Sequence, residues 1–181
     1  MIAGSRRNTV KLFAGFIFSR EQTYLETRHI LEKKFGKSDF ESPILPFNFT
    51  QYYRKEFGNN LERRFLSFKR LVHAEDLAQI KIITNRIEKR FSQQGRRQIN
   101  IDPGVLSLAK VTLATTKDYK HRIYLNKGIY AEITLYYQDK SYRSWEWTYP
   151  DYKTQEYIQI FNTIRKIYSQ QINIPPSTLK S

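Results

Sequence analysis

The chain has no cysteine in 181 residues. That excludes disulfides, thiolate metal sites and cysteine nucleophiles. Histidine is nearly as scarce. His29, His73 and His121 lie far apart and fall into no HxH or HExxH spacing, so a dedicated zinc site is not expected. No run approaches the roughly 18 apolar residues that a membrane-spanning helix needs. The start, "MIAGSRRNTVKLFAGFIFS", sets Arg6 and Arg7 before an apolar run in the manner of a signal peptide. A charged helical pattern follows it, not a small-residue cleavage site, so the segment reads as a first strand and the protein as cytoplasmic. Acids are also in short supply: 17 Asp and Glu stand against 31 Lys and Arg, a formal net charge of +14. Such a surface attracts phosphates, nucleic acid or anionic membranes. The basic residues form no tail, so any patch must be assembled by folding.

Aromatics are plentiful, with 13 Tyr and 12 Phe. This is far from a disordered composition and predicts an aromatic core in which many tyrosine hydroxyls need partners. The length suits one domain, read as residues 1–171 with a frayed tail over 172–181. "VKLFAGFIF" (10–18) is apolar almost throughout, as in a strand covered on both faces. Ser19, three residues before Gln22, has capping-box spacing for a helix that runs to Phe35 and ends at Gly36. Pro43 and Pro46 make 38–48 an edge strand or extended loop. Residues 52–60 read as a connector and 61–72 as a strand with Phe65 and Ser67 on one side. Leu77, Ile80, Ile83, Ile87 and Phe91 form the clearest amphipathic helix, and Tyr157, Ile160, Phe161, Ile164 and Tyr168 form another. The order β-α-β-β-α-β, then hairpins, then a helix predicts an α+β domain. Its mainly antiparallel sheet carries helices on one face, in a ferredoxin-like core with a C-terminal hairpin and helix extension.

"FGKSD" invites a P-loop reading, but Leu31 stands where the loop needs its first glycine, and the helix comes before the loop. Helix capping explains Gly36 better. There is no GxGxxG, no GxSxG and no RNA-recognition aromatic motif.

The chemistry concentrates in 99–135. "DPG" (102–104) has the form of a type II turn, with Gly104 at positive φ and Asp102 accepting backbone bonds or contacting a ligand. "NKG" (126–128) reads as a three-residue hairpin loop with Gly128 left-handed. That loop sets Arg122 opposite Glu132, Tyr124 opposite Tyr130 and Lys120 opposite Thr134 on one face. His121, Ile123, Leu125, Ile129, Ala131, Ile133 and Leu135 fall on the other. Arg122–Glu132 is either a plain cross-strand pair or an anion fork oriented by the glutamate. His121 is either a buried structural histidine or, near Thr115, Thr116 and Lys117, an acid or base. In "WEWTYPDY" (145–152), Trp145 and Trp147 point one way, and Asp151 is placed to cap the last helix.

"NIDPG", "LATTKDYKHRIYL", "GIYAEITL" and "WTYPDY", in this order and spacing, resemble a bacterial and archaeal family classed as domain of unknown function 4416. "YYRKEFGNNLERRFLSFKRL" is similar to its central segment. The resemblance spans about residues 10–168 and implies a single-domain protein of about this length, with no established reaction. Relatives are often labelled GTP-binding, yet this chain lacks the P-loop, and Ile129 replaces the Asp of an NKxD motif.

The resulting expectation is a protein that binds a phosphate-bearing ligand, a nucleotide or RNA. Lys117, Arg122, Asp102, Glu132 and His121 would line or border the site, and Tyr124, Tyr130 and Trp147 would supply stacking. His121, Asp102 and Glu132 are the catalytic candidates. No motif names a cofactor; with a nucleotide, Asp102 and Glu132 would hold Mg²⁺ while Lys117 and Arg122 neutralise phosphate. The alternative is a noncatalytic module for RNA or protein, without a small-molecule pocket.

Overall fold

The computed structural model describes residues 9–49 and 60–173. Arg6, Arg7, the 52–59 connector and the tail beyond Asn173 lie outside the described residues. The strands are β1 (Thr9–Phe18), β2 (Ser38–Glu41), β3 (Leu45–Pro46), β4 (Glu62–Phe68), β5 (Val72–His73), β6 (Ile99–Leu106), β7 (Lys110–Thr115), β8 (Ile123–Asn126), β9 (Ile129–Gln138) and β10 (Ser141–Ser144). The α-helices are α1 (Glu21–Phe35), α2 (Leu77–Arg90) and α3 (Gln155–Asn173). No helix among the described residues is long and apolar enough to cross a membrane.

The strands form one antiparallel sheet in the order β10-β9-β7-β6-β1-β4-β2, with β3 beside β4, β5 beside β1 and β8 beside β9. Within it, β6-β1-β4-β2 with α1 after β1 and α2 after β4 is the split β-α-β order of a ferredoxin-like core. The C-terminal hairpins extend that core beyond β6.

β1 decides how the sheet is covered. Leu12, Ala14, Phe16 and Phe18 pack with Tyr24, Leu31 and Phe35 of α1 and Ile80 and Ile87 of α2. Phe13, on the alternate parity, packs with Phe65, Leu113 and Leu135 and with Tyr157, Phe161 and Ile164 of α3. The core helices α1 and α2 therefore share one face, as expected. α3 lies on the opposite face, because the second row of apolar side chains also needs a cover. Lys11, buried within this layer, pairs with Asp39 and donates to Gln171 Oε1 at 2.8 Å.

Several local expectations are corrected. No capping box forms at Ser19. The helix starts one residue later than that spacing implies, at Glu21 after an Arg20 with no side-chain cap, and Gln22 instead donates to Glu26 at 2.8 Å. Gly36 does terminate α1, with φ of 95° and its N–H on Glu32 O at 2.9 Å. Lys127 (φ 50°) and Gly128 (φ 75°) form a two-residue turn between paired Asn126 and Ile129, so the hairpin loop is shorter than expected. Tyr124 still pairs with Tyr130, because a register shift absorbs the difference.

"DPG" is not a turn. All three residues lie inside β6, paired with Gly15, Ala14 and Phe13 of β1. Pairing of β6 with β7 runs only from Leu106 to Gly104. Pro103, with no N–H to give, stands where that ladder stops. Gly104 is required by close approach rather than by φ. A Cβ there would sit 2.3 Å from Phe13 Cζ and 2.7 Å from the Thr112 carbonyl oxygen. Gly104→Ala is expected to destabilise the protein by about 3 kcal/mol, since backbone as well as ring must move. The melting temperature should fall by roughly 10 °C. A change within 2 °C of wild type would contradict the close approach.

Candidate functional site

Where β7 leaves β6 the sheet opens into a cavity of about 630 Å³. The backbone of Ile101 on β6, buried and unpaired on the β7 side, is satisfied from α2. Lys81 Nζ donates to Ile101 O at 3.0 Å, and Glu88 Oε1 accepts from Ile101 N at 2.6 Å. Two helical turns separate Lys81 and Glu88, so both face the gap. Burial pushes the Glu88 carboxyl pKa up, against the pull of Lys81.

The floor is built around Arg63 of β4, whose side chain is 2% exposed. Its Nη2 donates to Asp151 at 2.7 Å, its Nε to the Tyr157 hydroxyl at 3.3 Å and its Nη1 to Asp102 at 3.4 Å. Gly15, on the strand between, leaves room for this reach: a Cβ there would lie 3.0 Å from Arg63 Nη1. Burial opposes the guanidinium charge, but Tyr152, Tyr157, Asp151 and Asp102 more than offset it and hold its pKa above the ordinary value. Asn100 bridges, donating to Asp102 Oδ2 at 2.9 Å and accepting from Arg97 at 3.1 Å.

The other end is organised by Glu132 of β9. One oxygen accepts from Arg122 Nε at 2.8 Å and contacts His121 Nε2 at 3.0 Å, and the other accepts from Thr134 at 3.3 Å. Arg122 also donates to Lys117 O at 3.0 Å and to the Tyr149 hydroxyl at 2.9 Å, and lies over the Tyr119 ring at 4.3 Å. Lys117, Tyr119 and Tyr149 are exposed and form the rim.

A family model described as a domain of unknown function, DUF4416, matches residues 8–168. The chain belongs to this family. No curated protein and no solved structure gives a significant match. The span matched to DUF4416 contains every described residue that lines the cavity.

Of the residues singled out in the sequence, Asp102, Lys117, Arg122 and Glu132 line this DUF4416 cavity. His121 borders it through Glu132. The expected separation of His121 from Glu132 onto opposite faces is wrong: the Arg122 N–H bonds Tyr119 O at 2.9 Å, so 119–122 is a turn and strand alternation does not apply. Lys120 likewise lies before β8 and does not pair with Thr134. Tyr124 and Tyr130 pack edge-on at 5.3 Å on the hairpin, away from the cavity. Trp147 stacks on His121 at 5.4 Å and on Trp145 at 5.0 Å, also outside the lining. The aromatic walls are instead Phe47, Phe49, Tyr119, Tyr149 and Tyr152. Asp151 does not cap α3. Its carboxylate binds Arg63, and Thr154 Oγ1 accepts the Tyr157 N–H at 3.4 Å instead.

Asp102 and Glu132, the carboxylates expected to hold Mg²⁺ with a nucleotide, each lie among partners of their own. Arg63, Lys81 and Asn100 surround the first, and Arg122, His121 and Thr134 engage the second. Among the described residues, no group of three or more His, Asp or Glu is placed to hold a metal.

Proposed function

We propose that the cavity binds a small phosphate-bearing ligand, with the phosphate at the rim beside Lys117 and Arg122. The grouping of cations and hydroxyls at the rim carries this reading. Lys117 and Arg122 lie there together, beside the Thr115 and Thr116 side chains. Arg122 has five N–H donors and directs them to three acceptors, so part of its fork remains for a ligand oxygen. The volume lies within the usual range of small-molecule sites, about 300–1,000 Å³. No reaction is assigned.

A nucleic-acid strand is less well served, because Trp145, Trp147 and His121 direct ring faces at one another rather than at a base. Extended RNA binding would show itself by a steep loss of affinity with salt.

The test is a thermal-shift titration with tripolyphosphate and nucleotides on wild type and Lys117→Glu. A ligand at 100 times its Kd adds about 2.7 kcal/mol of stability, a saturable rise of roughly 5–10 °C. Lys117→Glu should cut the affinity about tenfold or more while keeping the unliganded melting temperature. No rise with any of these ligands at millimolar concentration sinks the proposal.

A further inference from the structure

We propose that the groove between α3 and the β9–β10 turn is a second anion site, which takes the phosphate end of a small phosphomonoester or pyrophosphate. It shares no lining residue with the cavity and does not rest on the rim taking a phosphate.

The groove measures about 310 Å³, and Lys140, Arg165 and Lys166 supply its charge. No carboxylate lines it among the described residues. Asp139, next to Lys140 in the chain, lies 3.9 Å from Arg143 instead. The buried cations Lys11, Arg63, Lys81 and Arg122 each stand beside an acid, whereas these three share one groove without any. Lys140, Lys166, Ser169 and Gln170 make no hydrogen bond or ion pair among the described residues, so their donors are open.

The frame around these donors is fixed. Arg165 Nε donates to Leu108 O at 2.8 Å, and its guanidinium carbon lies 3.4 Å from the centre of the Tyr137 ring. That pins the fork and leaves both Nη groups without an acceptor among the described residues. Asn162 joins the two walls: it accepts the Tyr142 N–H at 3.1 Å and donates to Ser141 Oγ at 2.9 Å. The last turn of α3 holds no basic residue, so the helix dipole does not account for Arg165 and Lys166. Lys140 is also placed against local preference. Asp139 (φ 50°) and Lys140 (φ 63°) form a two-residue turn between paired Gln138 and Ser141. The similar turn at 127–128 has Gly128 in the second position, where glycine is least strained. Here a lysine holds that position and brings its charge to the groove.

This chemistry selects the ligand. A phosphomonoester carries about −1.5 to −2 charge at pH 7 and three acceptor oxygens. The Arg165 fork can take two oxygens while the lysines act as point charges. A carboxylate, with one charge, would leave cations in excess. The volume is at the low end of ligand sites, which favours a small molecule.

The test is calorimetric titration of inorganic pyrophosphate, glycerol 3-phosphate and acetate into wild type, Lys166→Glu, Lys140→Glu, Lys117→Glu and Lys33→Glu. Lys33 is an exposed lysine of α1, across the sheet. At least one phosphate probe should saturate the groove, and acetate should not. Lys166→Glu and Lys140→Glu should each weaken that binding about tenfold or more, with the melting temperature kept, because both side chains are exposed and unpaired among the described residues. Lys117→Glu and Lys33→Glu should leave it unchanged. Binding of pyrophosphate alone assigns the groove to the free anion, and binding of glycerol 3-phosphate assigns it to the ester. Phosphate binding that Lys117→Glu removes and Lys166→Glu spares overturns the groove while the rim stands. Equal weakening by Lys33→Glu reveals diffuse surface charge and overturns the groove, as does acetate binding as tightly as phosphate or no binding of either phosphate probe at millimolar concentration.

Discussion

Replacing Arg63 with methionine is expected to destabilise the protein by about 3–5 kcal/mol, the usual cost of stranding buried charges. For a chain of this size the melting temperature should drop by roughly 10–15 °C. The reason lies in what the substitution leaves behind. Methionine fills the space under Phe47 and Tyr152, whose rings lie 5.1 and 5.6 Å from the guanidinium carbon, so little packing is lost. Asp151, however, is 6% exposed, and Arg63 is the partner of its carboxylate at 2.7 Å. Asp102 keeps Asn100 and the distant Lys81. The loss should therefore belong mainly to Asp151, and Asp151→Asn added to Arg63→Met should recover a large part of it. Urea denaturation of the two singles and the double measures this directly. If Arg63→Met costs under 1 kcal/mol, or if the second substitution recovers nothing, the buried pair does not hold the cavity floor.

Arg63 also shows how much of the site was legible in the chain. The parity of β4 already put Phe65 and Ser67 on one side, and Arg63 shares it. A charge in register with a core phenylalanine is a readable signal. Lys81 and Glu88 were readable too, as a polar stripe along α2 beside the apolar one. What no local pattern contains is their convergence, since β4, α2 and β6 meet only through the sheet order. "DPG" failed for the opposite reason: its local turn preference is strong, and β1 overrides it. Pro103 ends a ladder and Gly104 makes way for Phe13, two roles that need neighbours far away in sequence. His121 is misplaced by alternation because that pattern does not reach back beyond the start of β8 into the turn at Tyr119–Arg122, while the Tyr124–Tyr130 pairing, inside the strand, is correct.

The Arg122–Glu132 pair yields the second large effect. Both side chains are 2% exposed, so this is not the exposed cross-strand pair, of about 0.2–1 kcal/mol, that its register alone suggests. Glu132→Ala should cost about 3–5 kcal/mol by leaving a buried guanidinium short of its counter-charge. Arg122→Ala should cost a similar amount and also free Tyr149 and the Lys117 carbonyl, loosening the rim. The two losses should not add. In a double-substitution cycle followed by urea denaturation, the coupling is expected at about 2–3 kcal/mol, within the range for contacting residues. His121→Ala should cost less than either, because Glu132 would still hold Arg122 and Thr134. A coupling below 1 kcal/mol would mean that water screens the pair despite its burial. The rim cation proposed to meet a phosphate would then be mobile rather than fixed. Arg122 is thus a poor first probe of binding: its loss disturbs the rim itself, whereas Lys117 presents its charge from an exposed position and can be reversed without opening the buried pair.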